Sequence, residues 1–104
     1  MKKKLLIIED DPGLQSQMRW CFEDMEVFIA SDREAALSQL RRIEPQVITL
    51  DLGLPPDPGG ATEGFKALEE ILKLAPNTKV IVVTGREEKQ NAVTAIGLGA
   101  CDFF

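Results

Sequence analysis

Leu5-Leu6-Ile7-Ile8-Glu9-Asp10-Asp11-Pro12 is the stretch on which the fold turns. Four consecutive branched apolar residues show no polar alternation, the pattern of a strand buried on both faces of a parallel sheet. Glu9-Asp10-Asp11 ends the run. Asp11 before Pro12 predicts a helix N-cap with proline at the first helical position, where its missing N–H costs nothing. Beyond it Leu14, Met18, Cys21 and Phe22 recur at i, i+4, i+7 and i+8, so one helix face is expected to carry them inward.

The same alternation continues along the chain. Val27-Phe28-Ile29-Ala30 reads as a second strand, and Ser31 to Glu34 as a capping box opening a helix with Ala36, Leu40 and Ile43 inward, ended by Pro45. Val47-Ile48-Thr49-Leu50 is a third strand ending at Asp51. Phe65, Leu68, Ile71 and Leu72 mark a third helix, stopped by Pro76-Asn77. Val80-Ile81-Val82-Val83 is a fourth strand, followed by Thr84-Gly85. A fourth helix is predicted from about Glu87 to Leu98 with Ala92, Ala95 and Ile96 inward, and Cys101-Asp102-Phe103-Phe104 reads as a fifth strand. Only residues 52–63 break the rhythm. Pro55, Pro56, Pro58, Gly53, Gly59 and Gly60 crowd there and predict a long loop. The order βαβαβαβαβ in one domain, residues 1–104, predicts the α/β class: a doubly wound parallel sheet with helices on both faces. Ligands of such sheets sit at the carboxyl ends of the strands.

Composition narrows the function. The 104 residues are 44% hydrophobic and 28% charged, which suits one folded domain and argues against disorder. A net charge of −5 repels phosphate backbones, so direct nucleic-acid binding is not expected. The absence of His removes His-based catalysis and most zinc chemistry. Cys21 and Cys101, far apart in the chain, are expected to pack inward as thiols of a reducing cytosol. No apolar run approaches the ~18–20 residues of a membrane span, so a cytoplasmic protein without a membrane partner is expected. Trp20 is expected to be a partly buried packing residue, with a partner-facing role as the alternative.

At the strand ends stand Glu9-Asp10, Asp51 and Thr84-Gly85. Each alone is the ordinary chemistry of a turn or cap. Together they would meet in one crevice. Three crowded carboxylates need a cation, and an oxygen-only ligand set suits Mg²⁺. A carboxylate beside Mg²⁺ can attack phosphorus to give an aspartyl-phosphate, whose oxygens a nearby hydroxyl can bond.

Ile7-Ile8-Glu9-Asp10-Asp11-Pro12, Val47-Ile48-Thr49-Leu50-Asp51-Leu52-Gly53-Leu54-Pro55 and Val80-Ile81-Val82-Val83-Thr84-Gly85 resemble two-component response-regulator receiver domains. Gly97-Leu98-Gly99-Ala100-Cys101-Asp102-Phe103 fits that family's Gly-Ala-x-Asp-aromatic stretch. The resemblance implies a flavodoxin-like (CheY-like) sheet of order 2-1-3-4-5 and a non-enzymatic switch phosphorylated by a sensor histidine kinase. It implies Asp51 as phosphoacceptor, Asp10 as a direct Mg²⁺ ligand, Glu9 as a ligand through water, and Gly53 as a backbone-carbonyl ligand. Thr84 would bond the phosphoryl group and move toward it, and Phe103 would be the aromatic switch that rotates inward behind it.

Two departures stand out. The family's phosphoryl-binding lysine would fall two residues beyond Phe104, so the resemblance implies a piece of a longer protein, without the lysine or the fifth helix. Its uncovered apolar end is expected to favour self-association. The loop from Pro55 to Gly64 is about five residues longer than usual and, being proline-rich, is expected to be a stiff flap beside Asp51. Leu52-Gly53-Leu54-Pro55-Pro56-Asp57-Pro58 resembles sigma-54-activating regulators of PEP-CTERM/exosortase systems, whose receiver precedes an ATPase and a DNA-binding domain. The alternative reading is a pseudo-receiver, a protein-interaction module that works without phosphorylation. An aspartate-nucleophile phosphatase would need a second Asp where Gly53 stands, and no phosphate-cradling Gly-rich motif follows a strand.

Overall fold

Parallel pairing accounts for the apolar quartets. The computed structural model describes residues 2–55, 61–83 and 89–103. Strands β1 (Lys4–Ile8), β2 (Glu26–Ala30), β3 (Val47–Asp51), β4 (Lys79–Val83) and β5 (Asp102–Phe103) alternate with helices α1 (Pro12–Cys21), α2 (Arg33–Ile43), α3 (Thr62–Leu74) and α4 (Lys89–Leu98). All the pairs are parallel, in the order β2-β1-β3-β4-β5. β1 lies between β2 and β3, and Leu5 to Ile8 are all buried, as their unbroken apolar run requires.

Side chains alternate between the two faces. Leu6, Ile8, Ile48, Leu50, Val80 and Val82 share one core with Leu37 and Leu40 of α2 and with Leu68 and Ile71 of α3. α2 packs against α3, and α3 against α4. Register then decides where the acids go. Ile8 stands level with both Ala30 and Leu50, so the residues that follow Ile8 and Leu50 emerge side by side at the carboxyl edge.

Several expectations are corrected. α1 has no buried residue: Leu14 is 43% exposed, Cys21 is exposed, and Met18 and Phe22 are only half-buried. No other described helix packs along α1, so its apolar stripe lacks a cover on that side. Trp20, at 74%, is fully turned out instead of partly buried. In α4, Ala92 and Ala95 are buried as expected, but Ile96 is 39% exposed. The expected start near Glu87 lies outside the described residues. Cys101 is exposed and precedes β5, anchored by its N–H to the Val80 carbonyl at 2.8 Å.

The cap of α2 is Asp32, not Ser31. Asp32 has extended backbone and accepts from the Ala35 N–H at 2.8 Å, whereas Ser31 Oγ accepts from Gln15 Nε2 at 3.2 Å. Asp32→Ala is expected to cost about 1 kcal/mol, read as a lower midpoint in denaturant melts with an unchanged slope. Ser31→Ala is expected to cost less. The long loop is shorter than its composition suggested, because α3 already begins at Thr62 with Glu63 and Gly64 buried. Residues 56–60, the centre of the expected flap, lie outside the described residues. Among those described, no helix is long and apolar enough to cross a membrane.

Candidate functional site

Glu9 is the first residue past β1. Its N–H donates to the Ala30 carbonyl at 3.0 Å, which extends the ladder by one residue and turns the side chain inward to 4% exposure. Glu9 Oε2 accepts from the Asp11 N–H at 3.2 Å, and the Glu9 carbonyl accepts from Gln15 Nε2. Asp11 is used otherwise. Its Oδ1 accepts from the Gly13 N–H at 2.8 Å and the Leu14 N–H at 3.4 Å, the N-cap that Asp11-Pro12 predicted. Of the three consecutive acids, one therefore caps a helix and two remain for chemistry.

Asp51 ends β3, half-buried, and its Oδ1 accepts from the Gly53 N–H at 3.0 Å. One oxygen from each of Glu9, Asp10 and Asp51 lies within 4.8 Å of the others. Among the described residues none of the three is paired with a cation. The electrostatic consequence is direct. Burial, reinforced by hydrogen bonding with Asp51, pushes the Glu9 carboxyl up to about 8. Burial also raises Asp51, opposed by the Gly53 N–H, which favours its charged form. Three oxygen donors, close, partly desolvated and without a counter-charge, fit Mg²⁺, a hard cation that takes carboxylate oxygens and keeps its remaining waters.

The structure brings Glu9, Asp10 and Asp51 together, with Gly53 adjoining through its backbone N–H. Thr84 lies outside the described residues. The backbone of Phe103 stands opposite Val82 in β5, and its side chain lies outside the description. Residues that the sequence reading passed over also converge near the site. Glu63, 8% exposed, accepts from Arg33 Nε at 2.9 Å, and Gly64 seats against the Leu52 backbone. The one available signal was the position of Glu63-Gly64 at the far end of the proline-rich loop.

A 2-1-3-4-5 parallel sheet with an acid cluster at the carboxyl ends of β1 and β3 defines a flavodoxin-like α/β domain with a cation-type site. The profile of the response regulator receiver domain matches residues 5–104, and the chain belongs to that family. It is 30% identical over 103 residues to protein CcdB of Bacillus subtilis, covering 96% of this chain and 82% of CcdB. It is 30% identical over 105 residues to the nitrogen assimilation regulatory protein NtrX of Azorhizobium caulinodans, covering 99% of this chain but 22% of NtrX. The receiver domain of NtrX from Brucella abortus superposes with a TM-score of 0.87 at 28% identity, covering 96% of this chain and 82% of that one.

Proposed function

We propose that this domain, residues 1–104, is a phosphoacceptor switch, with Asp51 taking a phosphoryl group from a sensor histidine kinase. The convergence of Glu9, Asp10 and Asp51 within 4.8 Å carries the reading. Asp10, Asp51 and the Gly53 carbonyl would hold Mg²⁺ directly, and Glu9 would hold it through water. When bound, the ion supplies positive charge against the carboxylates and the transferring phosphoryl oxygens. An Asp51 carboxylate oxygen attacks the phosphorus of the donor's phosphohistidine; the O–P bond forms as the P–N bond breaks, and the imidazole leaves. The Gly53 N–H restricts rotation of that carboxylate, which keeps the nucleophile aimed. Thr84 bonds the phosphoryl oxygens afterward, and Phe103 follows its movement.

The resemblance of Leu52 to Pro58 to sigma-54-activating regulators supports an output carried by ATPase and DNA-binding domains, and the likeness to NtrX, a nitrogen assimilation regulatory protein of which this chain spans 22%, supports a regulatory role. The net charge of −5 supports leaving nucleic acid to such domains.

The test is incubation of the full-length protein with acetyl phosphate and Mg²⁺, followed by intact-mass measurement and peptide mapping. One added phosphoryl group on the peptide containing Asp51 is the expected result, and excess EDTA is expected to lower its yield by about a hundredfold or more. Label that survives the chelator, or that maps to another peptide, overturns the assignment. A full-length protein that never labels is better read as a pseudo-receiver.

A further inference from the structure

Gly64 lies in the first turn of α3, where glycine is a poor helix former and gains nothing from its own freedom. Its surroundings explain it. A Cβ built there would stand 2.8 Å from the carbonyl carbon of Leu52 and closer still to that residue's Cα and O, too close for any side chain. The helix therefore seats directly on the backbone of Leu52, which is itself buried beside Leu54. Flanking Gly64, the buried Glu63 is gripped from α2 by Arg33 Nε at 2.9 Å, and the same guanidinium reaches Glu70 one helical stretch further along. This two-point bridge ties the first turn of α3, and the turn bearing Glu70, to α2.

The peptide that Gly64 presses against joins Leu52 to Gly53, and its N–H is the one that donates to Asp51 Oδ1 at 3.0 Å. A continuous chain of contacts thus runs from Arg33 through Glu63 and Gly64 to the Leu52–Gly53 peptide and ends on the Asp51 carboxylate. We propose that Gly64, braced by the Arg33–Glu63 bridge, is a positioning residue for Asp51: it sets the orientation of the carboxylate by holding the Leu52–Gly53 peptide in place. The consequence for phosphoryl transfer rests on the acceptor role of Asp51, whereas the geometric consequence does not. Displacing an aligned group by about 1 Å is enough to lower a rate by orders of magnitude.

Two readouts separate the geometry from the chemistry. The first is the Gly53 amide resonance and its hydrogen exchange in ¹⁵N-labelled protein. The second is the labelling rate with acetyl phosphate at saturating Mg²⁺, at a temperature where every variant is folded. Gly64→Ala is expected to shift the Gly53 amide, speed its exchange and slow labelling about tenfold or more. Ile71→Val, which loosens the core under the same helix two turns beyond Gly64, is expected to leave both unchanged.

Should Gly64→Ala fail to fold, Arg33→Gln decides. It is expected to move the Gly53 amide and slow labelling about two- to fivefold, with Arg33→Lys recovering part of the loss. An unmoved Gly53 amide in Gly64→Ala, or in Arg33→Gln where that variant has to stand in, overturns the proposal. So does an equal loss of labelling in Ile71→Val. A parent chain that takes no label removes the acceptor reading alone, and the amide readout still judges the positioning.

Discussion

Asp51→Asn is expected to lose phosphoryl labelling and, without Mg²⁺, to melt at a higher temperature than the parent chain. The first half follows from the nucleophile. An amide offers no anionic oxygen to phosphorus, so the rate should fall by about a thousandfold or more, to background. The second half follows from crowding. Asp51 stands with Glu9 and Asp10 in a cluster that no described cation neutralises, and burial raises its carboxyl above the ordinary range. A raised carboxyl is one whose charged form the folded state disfavours, so removing the charge removes a cost at neutral pH. Asparagine is nearly isosteric and keeps an oxygen to accept the Gly53 N–H, so no hydrogen bond need be lost. A gain on the order of 1 kcal/mol follows, about 4–8 °C for a domain of this size. Added Mg²⁺ should close the gap from the other side, because only the parent has the full carboxylate set to bind it. Retained labelling, or a variant that melts lower than its parent without Mg²⁺, contradicts this account. Stability and function are opposed at this one side chain, as expected of a site held in an unfavourable charge state for chemistry.

How much of this was legible in the sequence differs from element to element, for physical reasons. Leu5 to Ile8 could be assigned because a strand buried on both faces must be apolar at every position, a local demand that leaves a local trace. Once β1 and β3 are neighbours, the meeting of Glu9, Asp10 and Asp51 is nearly compulsory, since Ile8 and Leu50 stand level. Periodicity told which residues of α1 share a face. It did not tell whether anything covers that face, and Leu14 lies open because no described helix packs along it. Ser31 and Asp32 are equally able to cap, and the choice between them lies in the backbone angles of the turn rather than in either side chain. The brace from Arg33 to Glu63 was illegible for a different reason. It depends on the path of the chain after Asp51 bringing Leu52 under Gly64, a contact between residues with no shared pattern.

The stability of the apo protein is expected to fall as pH rises from about 5.5 to 8.5, opposite to the usual behaviour of a domain rich in paired carboxylates. Glu9 sets the sign. Its carboxyl is raised in the folded state from the ordinary 4.5 to about 8. Below the lower value both states hold the proton and the folded state has its full stability. Between the two values the unfolded chain releases the proton while the folded chain retains it, so each step upward in pH favours unfolding. Above the higher value the contribution is gone. Asp51 is raised too, mainly by burial, and acts in the same direction. The Glu9 shift by itself corresponds to roughly 3 kcal/mol between pH 5.5 and 8.5, a fall of about 10 °C or more. Mg²⁺ should reverse the trend, because it binds the ionised cluster and not the protonated one. Its stabilising effect is therefore small near pH 5.5 and largest near pH 8.5, where it removes the need for the proton. Glu9→Gln separates the contributions: without Mg²⁺ its melting curve should be much flatter with pH, and the rescue by Mg²⁺ at high pH should shrink. Thermal melts of the parent and of Glu9→Gln across this range, with and without Mg²⁺, decide the matter. A parent curve that stays level or climbs with pH in the absence of the ion would mean that the three carboxylates do not crowd one another as the geometry requires.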